Sequence, residues 1–227
     1  MKILAISDIH GRFPEVPKGD ILCIAGDISP SSNHSSDYQK KWMDNNFLPW
    51  CEAKINKGVV KHIVFVAGNH DLYLEDLFMI NRMGKFKEKL HPNIHYLQDE
   101  MVEIEGIKIY GTPFQPEFCD WAFNRTEKEL EPIFEKIPEG LDVLISHGPP
   151  MHYCDQVEGR YEYLGSSSLE RNIIRAKPRL TVCGHIHTGC HNLTQVTECK
   201  NDKVEVVNVS LLDERYQVFF EVFEMDL

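Results

Sequence analysis

Hydrophobic residues follow two patterns along this 227-residue chain. Five short runs are continuously apolar, and each stops abruptly at a polar cluster. Residues 2–7 lead into Asp8-Ile9-His10-Gly11, residues 21–25 into Gly26-Asp27, and residues 63–67 into Gly68-Asn69-His70-Asp71. Residues 143–145 lead into Ser146-His147-Gly148, and residues 180–183 into Gly184-His185-Ile186-His187. Runs this short, continuous and rich in β-branched residues predict strands buried on both faces. Each polar cluster then lies just past a strand's C-terminal end, the edge where open α/β sheets bind ligands.

Between these runs the periodicity changes. Trp42, Met43, Phe47, Trp50, Cys51 and Ile55 form an amphipathic stripe that predicts a helix, split or kinked at Pro49. Leu130, Ile133, Phe134 and Ile137 form a second stripe. A third helix is predicted to start at a capping box, Ser167-Ser168-Leu169-Glu170, and to stop before Pro178. Elsewhere apolar and polar residues alternate. Residues 102–109 predict a hairpin turning at Glu105-Gly106. Residues 204–209 and the series Tyr216, Val218, Phe220, Val222 predict two antiparallel strands joined around Asp213-Glu214. The expectation is therefore an α/β protein, with early parallel units and a more antiparallel C-terminal half. Two mixed sheets would pack face to face with helices outside, in a single domain over residues 1–227. Residues 31–36 read as a polar loop, too short to be a linker.

Composition narrows the function classes. Hydrophobic residues make up 42% and charged residues 26%, ordinary globular values that exclude disorder and collagen-like repeats. With 24 basic and 35 acidic side chains the net charge is −11, the wrong sign for nucleic-acid binding by bulk charge. A phosphate-bearing ligand would need local positive charge, which a metal supplies. The opening residues, Met1 to Asp8, are too short an apolar stretch for a signal peptide or a membrane span. Seven cysteines, an odd number without a C-x-x-C pair, read as reduced thiols in a cytoplasmic protein.

Asp8, His10, Asp27, Asn69, His147, His185 and His187 offer carboxylate, amide and imidazole donors. That mixture suits Mn²⁺, Fe or Zn²⁺ better than Ca²⁺, which prefers oxygen throughout. Asp8 and His10 are two apart, as are His185 and His187, so in extended backbone each pair points the same way. Seven donors exceed one tetrahedral ion but suit two ions that share a bridging ligand.

In order, these clusters match the pattern D-x-H, G-D, G-N-H-[D/E], H and G-H-x-H, and the chain resembles the calcineurin-like metallophosphoesterase superfamily from Asp8 to His187. The resemblance implies a four-layer α/β/β/α sandwich. It also implies two divalent cations, Mn²⁺ before Fe or Zn²⁺, one held by Asp8, His10 and His187. The other would be held by Asn69, His147 and His185, with Asp27 as the bridge. His70 would face the leaving group or a phosphate oxygen, Asp71 would orient its ring and keep it cationic, and Asn69 would also meet substrate. The reaction implied is in-line attack by a metal-bridging hydroxide on a small phosphoester.

Finer features point to one branch. Asp8–Arg12, residues 109–118 and His147-Gly148-Pro149-Pro150 resemble the metallophosphoesterase-domain-containing, 239FB-like group. That group is associated with phosphodiesters, including 2′,3′-cyclic nucleotides. Protein phosphatases of the superfamily carry G-D-x-x-D-R-G, whereas residues 26–32 here lack that arginine. The reading is a dinuclear phosphodiesterase. Its rivals are a phosphomonoesterase or nuclease on the same site, and a catalytically weak scaffold. Retention of every ligand and of His70 favours an enzyme.

Other chemistry-bearing residues have plainer readings. His34, His62, His91, His95, His152 and His191 read as hydrogen-bonded structural residues. Arg12 is balanced between surface side chain and phosphate contact. Phe114, Phe118 and Trp121 read first as packing and second as faces for stacking a base. Cys183 and Cys190 read as packing.

Overall fold

A computed structural model of the chain describes residues 1–157, 159, 161–189, 191–199 and 202–227. Its strands are β1 (Lys2–Ile6), β2 (Ile21–Ala25), β3 (His62–Val66), β4 (Ile94–Tyr96), β5 (Glu100–Ile104) and β6 (Ile107–Thr112). They continue as β7 (Gln115–Pro116), β8 (Asn124–Arg125), β9 (Val143–Ser146), β10 (Leu180–Cys183), β11 (Thr194–Gln195), β12 (Glu205–Asn208) and β13 (Phe223–Asp226). One sheet has the order β13-β1-β2-β3-β4 and another β11-β12-β10-β9-β6-β5, while β7 and β8 form a small pair. All five apolar runs are strands, and each is interior to its sheet.

Alternation within those strands explains the layers. Ile3, Ala5, Ile21, Cys23, Ala25, Val64 and Val66 point to one side and meet Ile109, Val143, Ile145, Leu180, Val182 and Val207 of the other sheet. The intervening residues face helices: α1 (Ser36–Trp42), α2 (Leu48–Asn56), α3 (Leu72–Met79), α4 (Met83–Lys87), α5 (Glu127–Phe134) and α6 (Ser167–Ala176). Leu22, Ile24 and Phe65 join Phe47, Leu74 and Phe86, and Leu144 and Val206 join Leu130, Phe134, Leu169 and Ile173. A strand covered on both faces needs hydrophobic residues at every position, which is the continuous pattern of the sequence. The result is the expected sandwich of two mixed sheets between helices. Among the described residues, no helix is long and apolar enough to cross a membrane.

Several local expectations need correction. Pro49 does not split its helix. A π turn, Met43–Phe47, joins α1 to α2 without a break, and Pro49 follows directly after it, where the widened turn accommodates its ring. The third helix is capped one residue earlier than expected: Ser166 Oγ accepts from Leu169 N at 3.1 Å. Ser167 and Ser168 instead donate to Glu127, at 3.0 and 2.8 Å. The hairpin at Glu105-Gly106 forms as expected, with both residues at positive φ.

The C-terminal half is more parallel than the alternation implied, since β6, β9, β10 and β12 run parallel as neighbours. Tyr216, Val218, Phe220 and Val222 do not form the partner strand of β12. Their alternation serves local packing: Phe220 stacks on His191 with ring centroids 3.4 Å apart. The chain then crosses to the first sheet, where β13 pairs antiparallel with β1.

Candidate metal centre

The five strand ends converge across the two sheets. Asp8 and His10 follow β1, Asp27 follows β2, Asn69 and His70 follow β3, His147 follows β9, and His185 and His187 follow β10. Backbone bonds lock the first two ends together, Asp8 N to Gly26 O at 3.1 Å and His10 N to Asp27 O at 2.9 Å. Asp8, His10, Asp27 and His185 all have positive φ, between 41° and 69°. Left-handed backbone at such residues is costly and clusters at functional sites. The close approach also depends on two glycines. A Cβ on Gly26, whose φ is +94°, would stand 2.6 Å from His147 Nδ1, and one on Gly68 would stand 2.3 Å from Asp27 Oδ1.

Two buried triads have donor atoms within 4.8 Å of one another: Asp8, His10 and His187, and Asp8, Asp27 and His147. Asp27 lies between the two sides, with Oδ2 3.5 Å from His10 Nε2 and Oδ1 3.5 Å from His147 Nε2. Asn69 Oδ1 is 2.8 Å from both His147 Nε2 and His185 Nδ1. Neighbouring carbonyls fix the tautomers. His147 Nδ1 is 2.8 Å from Ala25 O, and His187 Nδ1 is 3.0 Å from Asp213 O. A carbonyl only accepts, so each Nδ1 carries a hydrogen and each Nε2 is turned inward. The lone pairs of Asn69 Oδ1 and His147 Nε2 then face each other, an arrangement a cation satisfies, with His185 Nδ1 beside them. Both ring nitrogens of His10 are buried without a hydrogen-bond partner, a costly state unless a ligand meets them. This donor set fits a divalent metal.

Electrostatics agree with that fit. Burial pushes His10 and His185 down to about 3 and lowers His147, holding these imidazoles in the neutral form that a metal needs. Burial opposes a charge on His187 too, but its contact with Asp8 wins and raises it to about 9. That pair holds a proton which a cation would displace. Burial also opposes ionisation of Asp8, yet His187 and the other histidines hold its carboxyl well below the usual range. Burial and the charges of Asp8 and Asp71 push Asp27 well above it.

All seven expected ligands are therefore brought together, and His70 lies beside them with Nε2 3.9 Å from Asp27 Oδ2. Asp71 departs from its expected part. Its carboxylate accepts from Gly68 N and Ser29 N at 2.8 Å and from Ile28 N at 3.2 Å, while His70 Nδ1 has no partner. Asp71 is thus a brace between two strand ends and does not orient the His70 ring. Burial, with His147 close by, lowers His70 to about 4, so the ring is neutral and not the cation expected. Trp121 and His34 flank it instead, with ring centroids 4.3 and 5.5 Å away.

A cleft of about 450 Å³ opens over Asp27, Asn69, His70, His185 and His187, walled by Phe118, Leu164 and Tyr216 among others. Phe118 is 57% exposed there, whereas Phe114 is buried. Arg12 is exposed and lies outside the residues lining the cleft. His34, read as structural, stands by the site. Three further residues escaped sequence reasoning. Ser210 Oγ donates to Asp8 Oδ2 at 2.6 Å, buried Gln39 donates to His70 O at 2.7 Å, and Asn208 Nδ2 donates to Ile186 O at 2.7 Å. A signal for two of them existed: the strand expected over residues 204–209, seen as β12, also ends in a polar cluster, Asn208-Val209-Ser210. Cys183 packs in the core as expected, and Cys190 lies outside the described residues.

Known proteins share this arrangement. A family profile described as calcineurin-like phosphoesterase matches residues 1–189. Human metallophosphoesterase domain-containing protein 1 is 32% identical over 213 residues, a match covering 83% of this chain and 61% of the human protein. A UPF0046 protein of Caenorhabditis elegans is 28% identical over 219 residues, covering 83% of this chain and 52% of its own. The chain thus spans 61% or less of the length of these relatives. The crystal structure of TT1561 of Thermus thermophilus superposes with a TM-score of 0.60 at 14% identity, covering 99% of this chain and 98% of that one. At that identity the likeness is one of fold.

Proposed function

Because the chain belongs to the calcineurin-like phosphoesterase family, we propose that it hydrolyses phosphodiesters with two divalent cations, Mn²⁺ in the first place. The observation that carries this reading is the convergence of two donor sets on Asp27, one of its oxygens toward each. Asp8, His10 and His187 would hold one cation, Asn69, His147 and His185 the other. Two such ions, when bound, supply an activated water and hold phosphate oxygens.

The chain's own residues do the rest. Neutral His70 lends an N–H to a phosphate or leaving-group oxygen at the rim. A fixed donor of this kind, aimed where negative charge develops, is worth ~10²–10³ in rate. Asn69 sits where it meets both a cation and the substrate, and Phe118 offers a flat face for a base, as a 2′,3′-cyclic nucleotide would present. The diester preference rests on charge. Among the described residues the cleft is lined by Glu117 and Glu214 and by no lysine or arginine. A singly charged diester suits such walls better than a dianionic monoester. Arg12 stays a peripheral contact in this reading. We further read residues 1–227 as one domain, since β13 completes the sheet that β1 starts. Buried thiols such as Cys23 and Cys51 suit a cytoplasmic setting.

The test is a chelator series on the purified chain. Removal of metal should abolish hydrolysis of bis-p-nitrophenyl phosphate, and added Mn²⁺ should restore it. Full activity after chelation and dialysis would overturn the proposal. Faster turnover of p-nitrophenyl phosphate would move it to a phosphomonoesterase.

A further inference from the structure

Residues 213–217 form a tight turn beyond the span that the family profile matches, which ends at residue 189. No sequence motif includes the turn, yet it touches the Asp8–His10–His187 side of the site in several ways. The carbonyl of Asp213 accepts from His187 Nδ1 at 3.0 Å. The Tyr216 ring lies 4.9 Å from the His10 ring and 5.2 Å from the His187 ring. Glu214 Oε1 accepts from Thr188 Oγ1 at 3.2 Å, which ties the turn to the residue after His187.

The side chain of Asp213 closes the turn. Its Oδ1 accepts from Arg215 N at 2.9 Å and Gln217 N at 2.8 Å. The Asp213 backbone meets Gln217 O and Tyr216 N, each at 2.9 Å. Inside that loop Tyr216 has a φ of +57°. A bulky aromatic residue seldom adopts this conformation unless the surroundings impose it, and such positions gather at functional sites. The left-handed backbone brings the ring onto both imidazoles, where it lines the cleft.

We propose that this turn is a positioning clamp for the Asp8–His10–His187 cation site, with Asp213 and Tyr216 as its positioning residues. Asp213 acts through its own carbonyl. Held in place by the carboxylate, that oxygen keeps the hydrogen on His187 Nδ1 and leaves Nε2, 3.5 Å from Asp8 Oδ1, to face the cation. Tyr216 covers the outer faces of His10 and His187, limiting their rotation and the access of water. Partners of this kind set ligand orientation, and losing one weakens metal affinity by ~10–100-fold. The inference rests on the metal-binding reading above.

Calorimetric titration of the full, metal-stripped chain with Mn²⁺ alone tests it, with circular dichroism to confirm folding. Asp213→Ala should weaken one Mn²⁺ site by ~10–100-fold. Asp213→Asn keeps the accepting oxygen and should bind like wild type. Tyr216→Gly removes the ring while easing the backbone, so it should fold and still lose affinity. Wild-type affinity in Asp213→Ala would overturn the clamp, as would equal weakening in Asp213→Asn. If Asp213→Ala does not fold, Tyr216→Gly decides, and unchanged affinity there overturns the proposal. A wild-type chain that binds no Mn²⁺ at all would remove the metal-binding reading itself, a separate result.

Discussion

Asp71 stands next to His70 in sequence, and its carboxylate is spent on three backbone N–H groups from two strand ends. Asp71→Ala would strand those donors in a fully buried place, at ~1–3 kcal/mol each. The expected outcome is a large fall in melting temperature, with an unshifted pH–rate profile in whatever stays folded. A shifted profile at full stability would return Asp71 to the role of ring orienter. His70→Ala, which removes the N–H donor, should behave in the opposite way, with metal content kept and turnover reduced by ~10²-fold or more. A half-buried carboxyl, that of Asp99, stands just before β5 and does not line the cleft. Burial pushes Asp99 up to about 6, and its Oδ1 has no hydrogen-bond partner. The folded state therefore holds this proton more tightly than the unfolded chain, whose aspartate titrates near the ordinary 3.8. Its contribution is complete below that value, falls as pH rises toward about 6, and is lost above. Denaturant melts should show Asp99→Asn gaining on wild type by at most about 3 kcal/mol between pH 4 and pH 7. A constant difference across that range would refute the assignment.

The elements show what the sequence could reveal and where it stopped. Strand position and burial were legible because two covered faces leave no room for polar alternation. The gathering of the donor residues was legible because each sits directly past a strand. Helix capping was off by one residue, since Ser166, Ser167 and Ser168 are equivalent in sequence and only the reach of Glu127 separates them. Ser166→Ala should accordingly cost about 1 kcal/mol by losing the Leu169 N–H bond. The end of the chain misled more seriously, because Tyr216 and its alternating successors obey a strand's period while folding as a turn and a crossing. No periodicity announces a left-handed tyrosine. The glycines at the strand ends were visible as turn-formers, but their second duty, close approach, appears only in three dimensions. Gly68→Ala puts a methyl group against the Asp27 carboxylate and the His147 ring. Elemental analysis should find that variant folded but depleted of metal, with activity lost in proportion.

At the scale of the molecule, the donors are shared between the two sheets. Asp8, His10, Asp27 and Asn69 belong to the first, and His147, His185 and His187 to the second. Cations held by both would resist any motion that slides one sheet over the other, and binding to the folded state alone raises its stability. At a free metal concentration 100 times the dissociation constant the gain is ~2.7 kcal/mol. Melts with and without a chelator should therefore differ by several degrees, and identical melts would count against binding that spans the sheets. The same division makes the ligand set separable. Opening the chain at the exposed Glu105-Gly106 corner would yield two pieces, residues 1–105 and 106–227, each carrying an incomplete complement of donors. Neither piece could encircle an ion alone, so their reunion should tighten with Mn²⁺, turning this two-sheet scaffold into a cation-triggered association switch.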